Sequence, residues 1–253
     1  MEIDADYLAK SVTKAGRILL ESGAEIYRVE DTMKRIALCY GAEVVDSYAT
    51  PTLLIISFSL NGHLTHNIKR VSSKTVNLNK IEEINNLSRE LSQNMMDLDY
   101  LNEHLDKIDK QRDIHLINSI LGAAICTFGF AFFFGGGINE AIFAVIIGTI
   151  VKTFVDLLSG YFPSSFFIHL FASSLLTALA IIFKNIIPYN QDIVIISSLM
   201  LLVPGLSITN AIRDSVRGDL LSGLSKATEA VFIAVALAVG SGLVMTMLGV
   251  FKC

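Results

Sequence analysis

Five apolar runs, at about 115–134, 138–160, 166–187, 192–212 and 228–251, constrain this chain more than any other feature. Each is roughly 20 residues long, the length a helix needs to cross ~30 Å of hydrocarbon. Between them stand "GGGINE", "SGYFPSS", "KNIIPYNQ" and "RDSVRGDLLSGLSK", which carry glycine, proline, asparagine or charge. Five such segments in succession argue against a buried soluble bundle and for a membrane domain.

Charge divides the chain in the same place. Residues 1–112 hold 14 Lys/Arg and 17 Asp/Glu, whereas 113–253 hold only 6 and 7. The expected organisation is therefore a water-soluble domain over 1–112 and a membrane domain over 113–253. A net charge of −4 gives no reason to expect a nucleic-acid partner. Cys39, Cys126 and Cys253 are odd in number and widely spaced, so neither a disulfide framework nor a zinc site is expected. The start "MEIDADYLAK" lacks a basic stretch followed by an apolar core, so no cleavable signal peptide is expected.

The soluble half changes period twice. Leu8, Val12, Ala15 and Leu19, then Ile26, Val29, Met33, Ile36 and Tyr40, follow helical spacing. Ser22 and Glu25 suggest a capping box for the second helix, and Gly41 a stop. "EVVDSYAT", "TLLIISFSL" and "HLTHNIKRV" read as strands, the last two joined by the hairpin signal Asn61-Gly62. Helical period returns from Leu78 to Leu91 and from Leu98 to Ile108. The fold class expected is a small α+β domain, α-α-β-β-β-α-α, followed by an α-helical polytopic membrane domain of five transmembrane helices.

Candidate chemistry in this half is sparse. His63 and His66 are i and i+3 on a strand, so they point to opposite faces and cannot share a metal without a bulge. Asp99, Glu103 and Asp106, beside His104, read as a solvated helix face. The cluster "GAEIYRVEDT" brings Glu25, Arg28, Glu30 and Asp31 together, with Glu30–Lys34 and Asp31–Arg35 as i,i+4 pairs. No nucleophile stands near a base, and no metal or cofactor is implied.

In the membrane half, Lys107, Lys110 and Arg112 precede the first span, and Arg213, Arg217 and Lys226 fall between the fourth and fifth. The outward ends keep only Lys184 and Lys252, which places the N-terminal domain in the cytoplasm and the C-terminus outside. Ala230, Ala234, Ala238 and Gly242 form a small-residue stripe, as do Ala141, Ala144 and Gly148. Lys152 and Asp156 continue the second stripe as an i,i+4 pair, open to a functional, a structural or a snorkelling reading. His169, near the inner end of the third span, is a weaker candidate.

The fourth run contains Pro204-Gly205, about 18 Å along a helix begun at Asp192. Pro204 cannot donate to the carbonyl of Met200, and Gly205 loosens the next step, so a kink or break is expected. Irregular backbone at membrane depth needs protein or a water-filled cavity around it. Past the break Val203, Ser207, Asn210 and Asp214 share a helical face. Broken helices with such polar groups are where secondary transporters bind cargo and ions, while a plain proline kink is the simpler reading.

"LLVPGLSITNAIRDSVRGDLLSGLSKATEA" and "LLESGAEIYRVEDTMKRIALCYG" resemble the threonine/serine exporter family of bacterial inner-membrane proteins. The resemblance covers nearly the whole chain. It marks Pro204, Gly205, Asn210, Asp214, Gly218, Asp219, Gly223 and Glu229, and in the soluble half Gly23, Ala24 and Glu25. Lys226 departs from it, standing where the family has arginine. Full-length members have about ten spans, so five imply the larger subunit of a split pair, completed by a small integral-membrane partner.

The resemblance implies a proton-motive-force-driven exporter of threonine, serine or a related small carboxylate such as a dicarboxylic acid. Cargo contacts are then expected from Pro204, Gly205, Ser207 and Asn210, with Lys152 or Arg213 meeting a carboxylate. Asp214, Asp156 or Glu229 would carry the coupling proton, and Glu25 and Arg28 a regulatory or docking role. The rivals are a membrane-anchored hydrolase and a regulatory protein working through the soluble domain. Five polar-decorated spans are more than an anchor needs.

Overall fold

A computed structural model describes residues 3–72, 75–94, 96–111, 116–162 and 164–248. Arg112 and Lys252, which enter the orientation argument, and Cys253 lie outside the described residues. The chain divides into two compact units, Met1–Asp113 with Thr209–Lys226, and Ile114–Ile208 with Ala227–Cys253. The segment linking the fourth and fifth apolar runs thus folds with the N-terminal domain rather than with the runs it joins.

The first unit has the element order read from its periodicities. It runs α1 (Ala5–Glu21), α2 (Ile26–Cys39), β1 (Glu43–Thr50), β2 (Leu53–Leu60), β3 (His63–Arg70), α3 (Leu78–Gln93) and α4 (Leu98–Lys110). The strands form an antiparallel meander in the order β1-β2-β3. Asn61 (φ 53°) and Gly62 (φ 80°) supply the left-handed pair of a tight hairpin, which fixes Leu60 opposite His63. That register turns Leu54, Ile56, Phe58 and Leu60 inward, where they join Leu8, Val12, Leu19, Met33 and Ile36 in one core. Gly16 makes this packing possible, because a Cβ there would clash with the Met33 thioether.

Two local expectations are corrected. Glu25 is itself the N-cap residue of α2 and makes no side-chain capping bond, because its carboxylate is committed to arginines. Glu30 accepts from the Ala49 backbone N–H (2.7 Å), so it ties α2 to β1. Asp31–Arg35 does form as an i,i+4 pair (2.7 Å). On α4 the acidic residues take separate partners: Asp99 accepts from Tyr7 Oη, Asp106 pairs with Lys14, and Glu103 with Lys107.

The second unit contains α5 (Leu116–Phe133), α6 (Ile138–Ser159), α7 (Ser165–Lys184) and α8 (Gln191–Leu199). It also holds the start of α9 (Gly205–Val216) and most of α10 (Leu220–Met247). Helices α6, α7 and α10 are long and apolar enough to cross a membrane, and α5 is a shorter apolar helix. Only 28–33% of each long apolar window is buried, although the windows are apolar all round. Helices of that kind must be covered by lipid or by another apolar chain.

Small residues set the helix seams. Ala141, Ala144 and Gly148 are buried against α5, and a Cβ on Gly148 would strike Thr127 Cγ2 at 2.5 Å. On α10 the seam differs from the stripe expected. Ile233, Ala236, Leu237 and Gly240 face inward, and a Cβ on Gly240 would clash with the Leu170 carbonyl and the Ser173 hydroxyl. Of the expected stripe Ala230 is buried, but Ala234 and Ala238 stay exposed, and Gly242 has nothing within 4 Å of its Cβ position.

Candidate functional site

In the apolar unit the fourth run is interrupted earlier than Pro204 alone requires. The Met200 N–H still reaches Ile196 O (3.1 Å), but Leu201 and Leu202 donate only three residues back, to Ser198 and Leu199. Gly205 donates just two back, to Val203 (2.8 Å), and helix resumes in α9. The ladder therefore tightens over a full turn before Pro204 ends it. Leu202 anchors the break by burying its side chain among Ile147, Val151, Leu176, Ile195 and Ile233. Val203 lies outside α9, so the polar row on that helix is Ser207, Asn210 and Asp214.

Buried polar groups stand close to the break in sequence or in the same unit. Ser198, near the end of α8, is fully buried, and its hydroxyl has no partner among the described residues. Gln191 Nε2 and the Ser241 hydroxyl share that condition. Each such group costs free energy unless a water or ligand satisfies it. Sequence reasoning passed over all three. For Ser198 and Ser241 the only signal was a polar residue inside an apolar run, and Gln191 ends the connection before the fourth run.

A cavity of about 650 Å³ opens in this unit, lined by Ser164, Ser165, Phe166, Phe167, Glu229, Phe232 and Ile233. It brings the N-terminus of α7, with its hydroxyls, to the half-buried carboxyl of Glu229. A helix N-terminus presents N–H groups and a positive dipole end suited to an anionic group. Lys152 and Asp156 close their i,i+4 ion pair at 2.7 Å on α6, both half-buried. His169 Nδ1 lies 2.7 Å from the Ser165 carbonyl.

The remaining sequence-marked residues gather in the first unit. Gly23 (φ 89°) turns the chain out of α1, and its carbonyl accepts from Asn210 Nδ2 (3.2 Å). Glu25, only 8% exposed, pairs with Arg213 Nη1 through Oε1 (2.6 Å) and with Arg28 Nε through Oε2 (2.8 Å). The Arg217 guanidinium lies over the Tyr27 ring, 3.5 Å from its centroid. Two motif stretches some 187 residues apart thus meet through hydrogen bonds and ion pairs.

The segment itself is a tight helical hairpin. Gly218 (φ 97°) makes its turn, and the Asp219 N–H donates to the Asp214 carbonyl (2.9 Å). Gly223 lets the arms touch, since a Cβ there would clash with Ser215 Oγ and approach the Ala211 carbonyl at 2.9 Å. Inside the hairpin Asp214 is wholly buried and pairs with Lys226 Nζ (2.7 Å) through Oδ2, while Oδ1 has no partner among the described residues.

Glu30 connects this region to a pH dependence. Burial pushes its carboxyl above the ordinary Glu range, and the charge of Asp219 adds to that, against the Ala49 N–H bond. A carboxyl that holds its proton more tightly when folded contributes stability below both pKa values and loses it as pH rises through the folded one. Glu30→Gln keeps an acceptor for Ala49 and cannot ionise. Thermal unfolding between about pH 4 and pH 7 is expected to show the wild type losing stability relative to Glu30→Gln as pH rises. Parallel curves would show that Glu30 is not the titrating group.

Comparison with known proteins matches residues 10–248 to the family described as "Putative threonine/serine exporter". A Klebsiella aerogenes protein named "Probable succinate transporter subunit YjjP" is 22% identical over 234 residues, covering 91% of this chain and 90% of the relative. Its Escherichia coli K12 namesake is 21% identical over 242 residues, covering 93% of each. A Mycobacterium tuberculosis protein named "Probable threonine/serine exporter" is 20% identical over 231 residues, which span 90% of this chain but 44% of that protein. No solved structure matches the chain. With the match running over both units, the chain belongs to the threonine/serine exporter family of membrane transporters.

Proposed function

We propose that the chain is one subunit of a secondary exporter that moves a small carboxylic acid, an amino acid such as threonine or serine or a dicarboxylate, out of a bacterial cell. It spans the inner membrane five times, through α5, α6, α7, the interrupted α8–α9 and α10. The N-terminal domain is cytoplasmic and the C-terminus is outside. A small integral-membrane partner supplies the remaining spans and docks on the face of α10 that carries the exposed Ala234 and Ala238.

The break at Met200–Pro204 carries this reading, because it opens backbone inside an apolar unit that also holds buried, unsatisfied polar groups. Pro204, Gly205 and Ser207 offer backbone and hydroxyl groups to the cargo, and Lys152 a cation. Asp214, Asp156 or Glu229 carries the coupling proton, with Glu229 favoured by its place in the 650 Å³ cavity. Asn210 and Arg213 are held by Gly23 and Glu25 in the conformation described. They reach cargo when that contact opens, which gives Glu25 and Arg28 a regulatory role. Relatives named as a succinate transporter subunit support both a carboxylate cargo and a second chain.

The test is uptake of labelled succinate and threonine into inverted vesicles from cells expressing this chain with and without the partner. Uptake is expected only with both chains, is abolished by a protonophore, and falls at least about tenfold in Glu229→Gln, within the range for loss of a proton-transfer group. Undiminished uptake with the protonophore would remove the proton-driven mechanism, and uptake by this chain alone would remove the partner.

A further inference from the structure

A second cavity, of about 340 Å³, lies wholly in the first unit and is lined by Tyr27, Arg28, Ile212, Arg213, Val216 and Arg217. Its charge is unbalanced. Glu25 neutralises one of the three guanidiniums, since it is the shared partner of Arg28 and Arg213. Arg217 has no carboxylate partner among the described residues and lies over the Tyr27 ring. Two positive charges are left around one concavity.

The donors are also left over. Arg213 uses Nη1 on Glu25, and Arg28 uses Nε on Glu25 and on the Tyr27 hydroxyl (3.0 Å). Each guanidinium carries five N–H donors in a rigid fork that fits a two-oxygen anion. The contact with Tyr27 holds the Arg217 guanidinium in place, so less rotamer freedom is lost when an anion arrives. Ile212 and Val216 add hydrocarbon to the lining. More than one cationic group with hydrocarbon beside it suits a short carbon chain bearing a carboxylate at each end. A zwitterionic amino acid would put its ammonium among arginines.

We infer that this pocket binds a small dicarboxylate and reports its cytoplasmic concentration to α9 through Arg213 and Arg217. The site lies outside the apolar unit and needs no partner chain. It rests on the proposed function for the class of the ligand and for the cytoplasmic side of the domain. When the dianion binds, it competes with Glu25 for Arg213, the ion pair that joins α2 to α9. A regulatory link follows: abundant ligand loosens the grip of "GAE" on the hairpin.

The chain contains no tryptophan, so Tyr27→Trp places a single indole reporter in the pocket with the stacking face retained. The full-length variant in phosphatidylcholine nanodiscs is titrated with succinate, threonine, propionate and inorganic phosphate. Succinate is expected to change the indole emission saturably, at least tenfold more tightly than propionate or threonine. Arg217→Gln and Arg28→Gln are each expected to weaken it about tenfold or more, as loss of a charged hydrogen bond does. Thermal shift of the chain with native Tyr27 repeats the ranking without the reporter.

No saturable succinate response in either measurement overturns the site. So do equal responses to succinate and propionate, or unchanged affinity in both arginine variants. A response that needs phosphatidylglycerol nanodiscs and ignores succinate assigns the pocket to a lipid headgroup and overturns it as a cargo sensor. Binding is read on the isolated chain, so its failure is separable from failure of export in the two-chain vesicle assay.

Discussion

Lys226→Met is expected to unfold the 209–226 hairpin, and the double variant Asp214→Asn/Lys226→Met to restore it. Asp214 is fully buried and Lys226 nearly so, which leaves the single variant with an uncompensated interior carboxylate. Removing one member of a buried pair costs about 3–5 kcal/mol, whereas replacing both by neutral groups costs far less. Limited proteolysis within 209–226 and thermal unfolding in detergent read the difference. A Lys226→Met chain as resistant as wild type would show that the pair does not hold the hairpin. Lys226→Arg tests the finer geometry, because a lysine ammonium engages Oδ2 and leaves Oδ1 without a partner among the described residues. The planar fork of arginine can take both oxygens, so this variant is expected to be the more stable form. Transport separates the roles. Asp214→Asn/Lys226→Met with the partner present is expected to lose energised export while the hairpin stays folded and the protein accumulates, and full export by this double variant would remove Asp214 from proton coupling.

Much of the fold was legible because one physical rule dominated each stretch. The alternation in "TLLIISFSL" and the left-handed pair Asn61-Gly62 leave a single register that buries Leu54, Ile56, Phe58 and Leu60 together. The break in the fourth run was legible too, since Pro204 removes a donor wherever it stands. The partner of 209–226 was not. Its first residues, with Asn210, read as the end of the fourth span and the rest as the loop after it, and only tertiary contact reveals that Asn210 and Arg213 answer Gly23 and Glu25. Periodicity also misassigned the α10 seam. Spacing four on Ala230, Ala234, Ala238 and Gly242 marks a face that can pack closely, but not which partner takes it, and α7 takes Gly240 instead. Ser198 and Gln191 carried no pattern at all, because an unsatisfied hydroxyl or amide is defined by its surroundings.

Pro204→Ala with Gly205→Ala is expected to raise thermal stability while abolishing export. In a continuous helix proline is about 3 kcal/mol and glycine about 1 kcal/mol less favourable than alanine, so the native pair strongly disfavours a straight fourth span. Alanine at 204 restores a donor for the Met200 carbonyl, and the stretch from Met200 to Pro204 can then join α8 to α9. The buried position of Leu202 resists this, since continuing the helix swings its side chain out of the cluster around Ile147 and Val151. Single variants therefore separate the two forces. If Pro204→Ala alone restores exchange protection across 200–205, chain chemistry makes the break. If only the double variant with Leu202→Ala does so, packing makes it. Export through vesicles carrying both chains decides the function. A protein that is more stable yet at least about tenfold slower shows that the open backbone is used, the usual cost when stabilising substitutions touch a working site. Wild-type export from a healed helix would reduce Pro204-Gly205 to a structural kink and move the search for the cargo site to the cavity at Glu229.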